Sequence, residues 1–196
     1  MEKREAEITR RTRETQIHLK LNVDGTGEYN INTGVGFLDH MLELFVRHSF
    51  MDLTLQAQGD VHVDFHHITE DVGICLGEAF ERALSDKAGI RRFGSFSAPM
   101  CEAIAHVNLD ISGRPYLIYN TPLDGGKVGE FDIELVEEFF HAFVNNSGIT
   151  LHINVPYGSN CHHIIEAIFK ATARAIDLAA SFDERVSGVP STKGVL

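Results

Sequence analysis

The chain has 196 residues and a formal net charge of −11, and 43% of its residues are hydrophobic. This composition fits one globular domain, or two small similar halves that share a core. The charge argues against nucleic acid as the main partner, and the apolar stretches are too short and interrupted to cross a membrane. Three cysteines are too few for a disulfide framework, so we expect a reducing, cytoplasmic location.

The first predicted strand has a near copy later in the chain. Residues 14–25 match residues 102–113: in both runs, Glu and His lie four apart, apolar residues alternate, and Gly closes the run. Alternation of this kind is typical of a strand with one buried face. The match indicates an internal repeat.

The repeat continues through the predicted helices. Residues 45–55 match residues 143–153, and the motif His-His-x-x-Glu occurs at 66–70 and again at 162–166. After each motif the apolar residues take helical spacing. Each half is predicted to run strand, helix, strands, helix, with the break near residues 92–97.

We therefore predict an α+β fold made by internal duplication, in which each half is a β-sheet packed by helices. The whole chain, 1–196, forms a single domain. Its halves span about 8–92 and 93–180, and a tail follows at 181–196.

The repeated motif predicts metal ligands. Side chains three or four apart lie on one helix face, whereas adjacent side chains diverge by about 100°. Glu70 therefore lies beside both His66 and His67, but the two imidazoles point in different directions. We expect them to serve two different ions, with the second copy completing both ligand sets. The alternative is a pair of helix-capping or buried histidines, which two copies at equivalent positions disfavour.

The donor types narrow the choice of metal. The chain has 11 histidines, and imidazole is the commonest protein ligand for metals. Imidazole nitrogens with carboxylate oxygens, and no thiolate obviously placed, suit Mn²⁺, Fe²⁺, Co²⁺ or Zn²⁺. Octahedral Mn²⁺ fits if water or substrate fills the remaining positions.

The repeat offers further ligands before each motif. His40 opens a helical stretch, and aligning residues 45–46 with 143–144 places Glu138 opposite it. His141, one turn after Glu138 on the same face, is a competing candidate. The alternatives are a surface histidine at position 40 and a solvated glutamate at position 138.

Basic residues beside glycines, or near the second motif, are candidates for holding an anion. Arg92 lies in Gly-Ile-Arg-Arg-Phe-Gly, Arg114 lies in Ser-Gly-Arg-Pro, and Lys170 follows Glu166 by one helical turn. The tail Pro-Ser-Thr-Lys-Gly, at 190–194, offers hydroxyl, amide and ammonium donors for a phosphate. Arg114 could equally be a structural ion-pair partner, and the tail could be disordered.

These stretches resemble a known family, imidazoleglycerol-phosphate dehydratase. The resemblance is carried by Thr-Gly-Val-Gly-Phe-Leu-Asp-His-Met-Leu at 33–42, Asp-Phe-His-His-Ile-Thr-Glu-Asp at 64–71, Ser-Gly-Arg-Pro at 112–115, Asn-Cys-His-His-Ile-Ile-Glu-Ala-Ile-Phe-Lys at 160–170, and the tail. It covers the chain from about residue 11 to the C-terminus.

The resemblance implies the dehydration of imidazole-glycerol phosphate to imidazole-acetol phosphate, a step of histidine biosynthesis. It also implies two Mn²⁺ ions per active site. The expected partner is this small phosphorylated imidazole, with neither nucleic acid nor membrane involved. The expected assembly is a homo-oligomer of 24 subunits with active sites between subunits.

The resemblance also assigns residues. The implied metal ligands are His40, His66, His67, Glu70, Glu138, His162, His163 and Glu166, with the Glu138 position held by His in some relatives. The implied substrate contacts are Glu14, His40, His48, Arg92, Arg114, Lys170, Ser191 and Lys193. The family usually has Pro-Met-Asp-Glu where this chain has Cys101 before Glu102, so an acid–base role at position 101 stays open.

The chemistry suggests a mechanism. No carbonyl activates the hydroxyl that is lost, so we expect the substrate imidazole to be the electron sink. A metal on a ring nitrogen favours the imidazolate, which can expel hydroxide to give a diazafulvene-like intermediate. We expect Glu14 or Glu166 to move protons, with His67 as a further catalytic residue. The basic residues would clamp the phosphate.

Two other functions are considered. A binuclear metallohydrolase for phosphate esters needs metals about 3.5–4 Å apart, whereas the diverging histidines predict separated ions. A non-catalytic metal-binding protein would leave the basic residues without a purpose.

Overall fold

The computed structural model describes residues 3–196. The elements of this part of the chain are, in order, β1 Glu5–Arg11, β2 Thr15–Asn22, β3 Tyr29–Asn32, α1 Gly36–Ser49, β4 Asp52–Gly59, α2 His66–Leu84, β5 Phe93–Met100, β6 Ala103–Asp110, β7 Tyr116–Asn120, β8 Lys127–Val128, β9 Phe131–Asp132, α3 Leu135–Ser147, β10 Thr150–Tyr157 and α4 Cys161–Ala180. No helix among these residues is long and apolar enough to cross a membrane.

The two halves have the same topology. The first sheet has the order β1-β2-β4-β3 and the second has the order β5-β6-β10-β7. In each sheet the last pair is parallel and the other pairs are antiparallel. The predicted α+β fold with internal duplication is thus confirmed. The predicted boundaries at 92/93 and 180/181 fall directly before β5 and directly after α4.

The order of elements within a half differs from the prediction. The first half has three strands before its first helix, the second has three strands and the short β8–β9 pair, and each half has one long strand between its helices. The missed first strand, β1, lies at a sheet edge and fully buries only Ile8. Its other side chains are mostly charged and exposed, so the apolar alternation that reveals a strand is absent there.

The four helices described for residues 3–196 lie between the two sheets. Helix α2 packs on the first sheet and on α3, and α4 packs on the second sheet and on α1. Phe45 and Phe143, which are equivalent in the repeat, meet with ring centroids 6.2 Å apart. An approximate twofold axis therefore passes through the centre of the core.

Partner helices run in the same direction. His40 near the start of α1 lies beside His162 at the start of α4, and Phe50 after α1 lies beside Arg174 late in α4. The N-termini of α1 and α4 therefore come together, and so, by the repeat, do those of α2 and α3.

Helix α2 approaches α3 closely and is tied to its sheet. A Cβ on Gly77 would lie 2.5 Å from the Phe143 carbonyl oxygen, so only glycine fits at this crossing. Near the helix start, the buried Asp71 carboxylate accepts hydrogen bonds from the Thr15 hydroxyl and from Arg10 Nε, the latter at 2.9 Å. Both contacts fix the position of the first motif.

Replacing Gly77 by alanine should lower the free energy of unfolding by about 1–3 kcal/mol, because the added methyl forces the α2–α3 crossing apart. Urea unfolding at matched subunit concentration measures this. Gly36→Ala is the control, since a Cβ there meets nothing within 4 Å and helix propensity favours alanine by up to about 1 kcal/mol. Equal midpoints for both variants would contradict the prediction.

Cys101 lies in a strained turn. Met100 pairs with Ala103, so Cys101 and Glu102 form a two-residue turn in which Cys101 has φ 50°. Asn tolerates this left-handed region better than Cys, and β-branched residues tolerate it least.

Cys101→Asn should therefore raise the free energy of unfolding by about 0.5–1 kcal/mol, and Cys101→Val should lower it by about 1 kcal/mol. The same urea titration tests both signs, and a stabilising Val would refute the argument.

Candidate functional site

Three predicted ligands come together at the start of α1 and α4. The donor atoms of His40, His162 and Glu166 all lie within 4.8 Å of one another. No other three His, Cys, Asp or Glu side chains among residues 3–196 bring their donor atoms this close. We call these three residues the metal cluster.

Local structure holds the cluster in place. The ring centroids of His40 and His162 are 5.7 Å apart, and His162 Nε2 lies 3.3 Å from Glu166 Oε2. Burial raises the pKa of Glu166, but the Lys170 hydrogen bond and the charges of Lys170, His162 and His40 outweigh it and leave that pKa below its usual range. The Glu166 carboxylate is therefore ionised and suited to a cation.

The second histidine of each motif points elsewhere. The His66 and His67 rings lie at 90° to each other, and the His162 and His163 rings lie at 75°. Adjacent side chains also leave a helix about 100° apart, so one ion cannot easily accept both rings of a motif.

A carboxylate holds Nδ1 of each of these second histidines. Glu102 Oε2 lies 2.8 Å from His163 Nδ1, and Asp60 Oδ2 lies 3.0 Å from His67 Nδ1. The His163 contact lowers the pKa of Glu102 to about 2, and the Asp60 contact raises the pKa of His67. Because Nδ1 donates to a carboxylate, Nε2 is left as the acceptor, which is the arrangement usual for metal-bound histidine.

The corresponding cluster of the first half is not assembled. His66, Glu70 and Glu138 are the repeat equivalents of His162, Glu166 and His40, but their donors do not lie together in the described chain. The competing residue, His141, points its Nε2 toward Glu137 at 3.7 Å. A single chain thus brings together three of the eight predicted ligands.

The predicted anion-binding residues form a separate basic cluster. Arg92 forms a bidentate ion pair with Asp110, at 2.6 and 3.0 Å, and donates a hydrogen bond to the Pro190 carbonyl at 2.9 Å. Arg114 lies 3.7 Å from the same carboxylate. In the tail, Ser191 Oγ accepts the Lys193 amide hydrogen at 3.2 Å. We call Arg92, Arg114 and the tail residues Ser191 and Lys193 the basic cluster.

Lys170 and His48 lie between the two clusters, on the paired helices. Lys170 forms an ion pair with Glu166. Partial burial, followed by the charges of Lys170 and Arg174, lowers the pKa of His48. Glu14 lies at the rim, with an exposed carboxylate 4.0 Å from His67 Nε2.

The two clusters lie at opposite ends of the second half. The Arg92 amide donates to the carbonyl of Ala179, and at 1.5 Å per residue Ala179 is about 26 Å along α4 from His162. The length of β6 gives a similar separation. Glu102 lies beside His163 and Asp110 lies beside Arg92, and at the rise per residue of a β-strand these two residues are roughly 27 Å apart.

Sequence reasoning missed the two aspartates that orient functional side chains. Asp60 holds His67, and Asp110 holds Arg92. The only sequence signal was position, since Asp60 directly follows β4 and Asp110 ends β6. Asp60 meets His67 because the end of β4 faces the start of α2, and Asp110 meets Arg92 because β5 and β6 pair.

Comparison with known proteins identifies the family. A family model described as imidazoleglycerol-phosphate dehydratase matches residues 33–176. The protein of that name from Pelobacter propionicus is 60% identical over 193 residues, covering 98% of this chain and 99% of the relative. That from Trichlorobacter lovleyi is 60% identical over 194 residues, covering 99% and 100%.

Solved structures agree. The Staphylococcus aureus dehydratase superposes with a TM-score of 0.84 at 46% identity, covering 91% of this chain and 99% of that one. The Pyrococcus furiosus protein, in complex with (S)-C348, gives 0.82 at 35% identity, covering 96% and 100%. The chain belongs to the imidazoleglycerol-phosphate dehydratase family.

Proposed function

We propose that this hydro-lyase of histidine biosynthesis dehydrates imidazole-glycerol phosphate to imidazole-acetol phosphate with two Mn²⁺ ions per active site and the substrate imidazolate as electron sink. The metal cluster, with three donors within 4.8 Å, carries this proposal. Membership of a dehydratase family argues against both the phosphohydrolase and the non-catalytic alternative.

The donors fit Mn²⁺. The metal cluster offers two imidazoles and a carboxylate, and no cysteine belongs to it. This nitrogen and oxygen set leaves positions for water or substrate, as an octahedral ion requires. His67 and His163, each with Nδ1 held, would present Nε2 from the rim of the chain, together with His66, Glu70 and Glu138.

The residues divide the work as follows. Bound cations would supply the charge that stabilises a deprotonated imidazole. Glu166 is engaged by Lys170 and His162 and has a lowered pKa, so its contacts favour a ligand role over proton transfer. Glu14 is exposed, and no lysine holds its carboxylate, which lies 4.0 Å from His67 Nε2. It is therefore our choice as the group that moves protons to and from the substrate carbon chain.

We further propose that each active site is shared between subunits. The substrate is one five-membered ring with a short phosphorylated chain, far shorter than the roughly 26 Å between the metal and basic clusters. One chain therefore cannot offer both clusters to one substrate molecule, whereas neighbouring copies can. A homo-oligomer satisfies this requirement, and the 24-subunit assembly stays a prediction from the resemblance.

Metal removal tests the cofactor. Protein stripped with a chelator should not turn over imidazole-glycerol phosphate, and adding Mn²⁺ should restore turnover, because the ligands that stabilise the imidazolate charge act through the ion. Product formation measured before and after Mn²⁺ addition decides the point. Full activity in verified metal-free protein would refute the proposal.

Mixing subunits tests the shared site. His163→Ala and Arg92→Ala should each abolish turnover alone. Co-assembled in equal amounts, they should recover about a quarter of wild-type activity, because each end of a shared site has an even chance of being intact. If one chain built the whole site, every chain in the mixture would carry one fault and no activity would return. Mixing His163→Ala with Glu102→Ala, which share one end, is the control, and its activity should not exceed the mean of the two variants assayed alone.

A further inference from the structure

Glu14 and Glu102 occupy equivalent positions in the two halves but make different contacts. Glu102 accepts from His163 Nδ1 at 2.8 Å and from the Asn160 amide at 2.8 Å. Glu14 instead faces Nε2 of His67, the opposite ring nitrogen, at 4.0 Å. The repeat has therefore kept the glutamate in both halves and changed what it touches.

Asp60 explains the difference. Its two carboxylate oxygens lie 3.0 and 3.2 Å from His67 Nδ1, so it occupies the place that Glu102 takes in the second half. The repeat equivalent of Asp60 is Ser159, because Gly59 and Gly158 lie at the same place in the two halves: a Cβ on Gly59 would meet Ile68 and Thr15, and a Cβ on Gly158 would meet the equivalent Ile164 and Ala103. Ser159 has no carboxylate, and its amide donates to Glu102 Oε1 at 3.4 Å.

We propose that Asp60 is the positioning residue for His67, and that by holding Nδ1 it leaves the Glu14 carboxylate available to the substrate. The inference rests on the proposed function, because it treats His67 as a metal ligand. An imidazole has one Nδ1 hydrogen, and a carboxylate that accepts it fixes both the tautomer and the ring plane. Two glutamates that are equivalent in sequence thereby take different roles: Glu102 orients a ligand, and Glu14 faces the reacting groups.

Mn²⁺ binding, measured from the electron paramagnetic resonance signal of free Mn²⁺, tests this assignment. Asp60→Ala should weaken binding of one Mn²⁺ by about 10–100-fold, and Glu102→Ala should do the same, because loss of a carboxylate behind a ligand histidine has this effect. Asp60→Asn, which keeps an acceptor oxygen, should lose less. Glu14→Gln should keep wild-type Mn²⁺ affinity but lower kcat at saturating Mn²⁺ by about 10²–10⁴-fold.

Asp86→Ala is the matched control. Asp86 is an exposed aspartate in the turn after α2, where it accepts the Ala88 amide hydrogen, and its loss should change neither Mn²⁺ affinity nor kcat. Urea midpoints for all variants separate a folding defect from a binding defect: a purely structural Asp60 would lower the midpoint and leave the affinity of the folded protein unchanged.

Two results would overturn the proposal: wild-type Mn²⁺ affinity in Asp60→Ala, or a loss of affinity in Glu14→Gln as large as that in Glu102→Ala. A wild-type protein that binds no Mn²⁺ would overturn the metal dependence of the proposed function, and with it the role given to Asp60. That failure is visible in the wild-type titration alone.

Discussion

The divergence of two adjacent imidazoles at a helix start is the constraint on which the rest of the site depends. Neighbouring side chains on a helix leave the axis about 100° apart, and the rings of His162 and His163 lie at 75° to each other. The first ring can therefore meet His40 and Glu166, while the second contacts Glu102 instead. The two histidines of one motif therefore contact different groups of residues.

Duplication then supplies two such motifs, and small differences give them different properties. The first histidine of the second motif meets an imidazole on the neighbouring helix α1, His40, whereas the equivalent position on α3, the helix beside the first motif, is Glu138. The second histidine is held by Glu102 in one half and by Asp60 in the other. The shared framework keeps the helix starts equivalent, and the polar side chains around them differ: Asp60 follows β4 in the first half, whereas Ser159 takes its place after β10 in the second.

The length of the secondary structure has a consequence for assembly. Helix α4 and strand β6 both run from the metal end of the second half to its basic end, and both span roughly 26 Å. The same elements that hold each cluster rigidly also keep the two apart. This separation is the reason for proposing a site shared between subunits, in which a second copy would bring its basic end to the metal end of the first.

Much of this protein could be predicted from its sequence, because the signals were local. Alternation within 14–25 and 102–113 predicted β2 and β6, the repeated spacing predicted the duplication, and the motif predicted the ligand types. The edge strand β1 was missed because a strand with one buried residue carries no periodic signal.

Only the tertiary structure decided which side chains meet. His40 joins His162 because α1 and α4 pack in parallel, and Asp60, rather than Glu14, holds Nδ1 of His67 because the end of β4 faces the start of α2. Such contacts depend on how distant elements pack and on the rotation of single rings. Residue spacing along the chain therefore indicated which side chains suit a metal, but not which of them lie together.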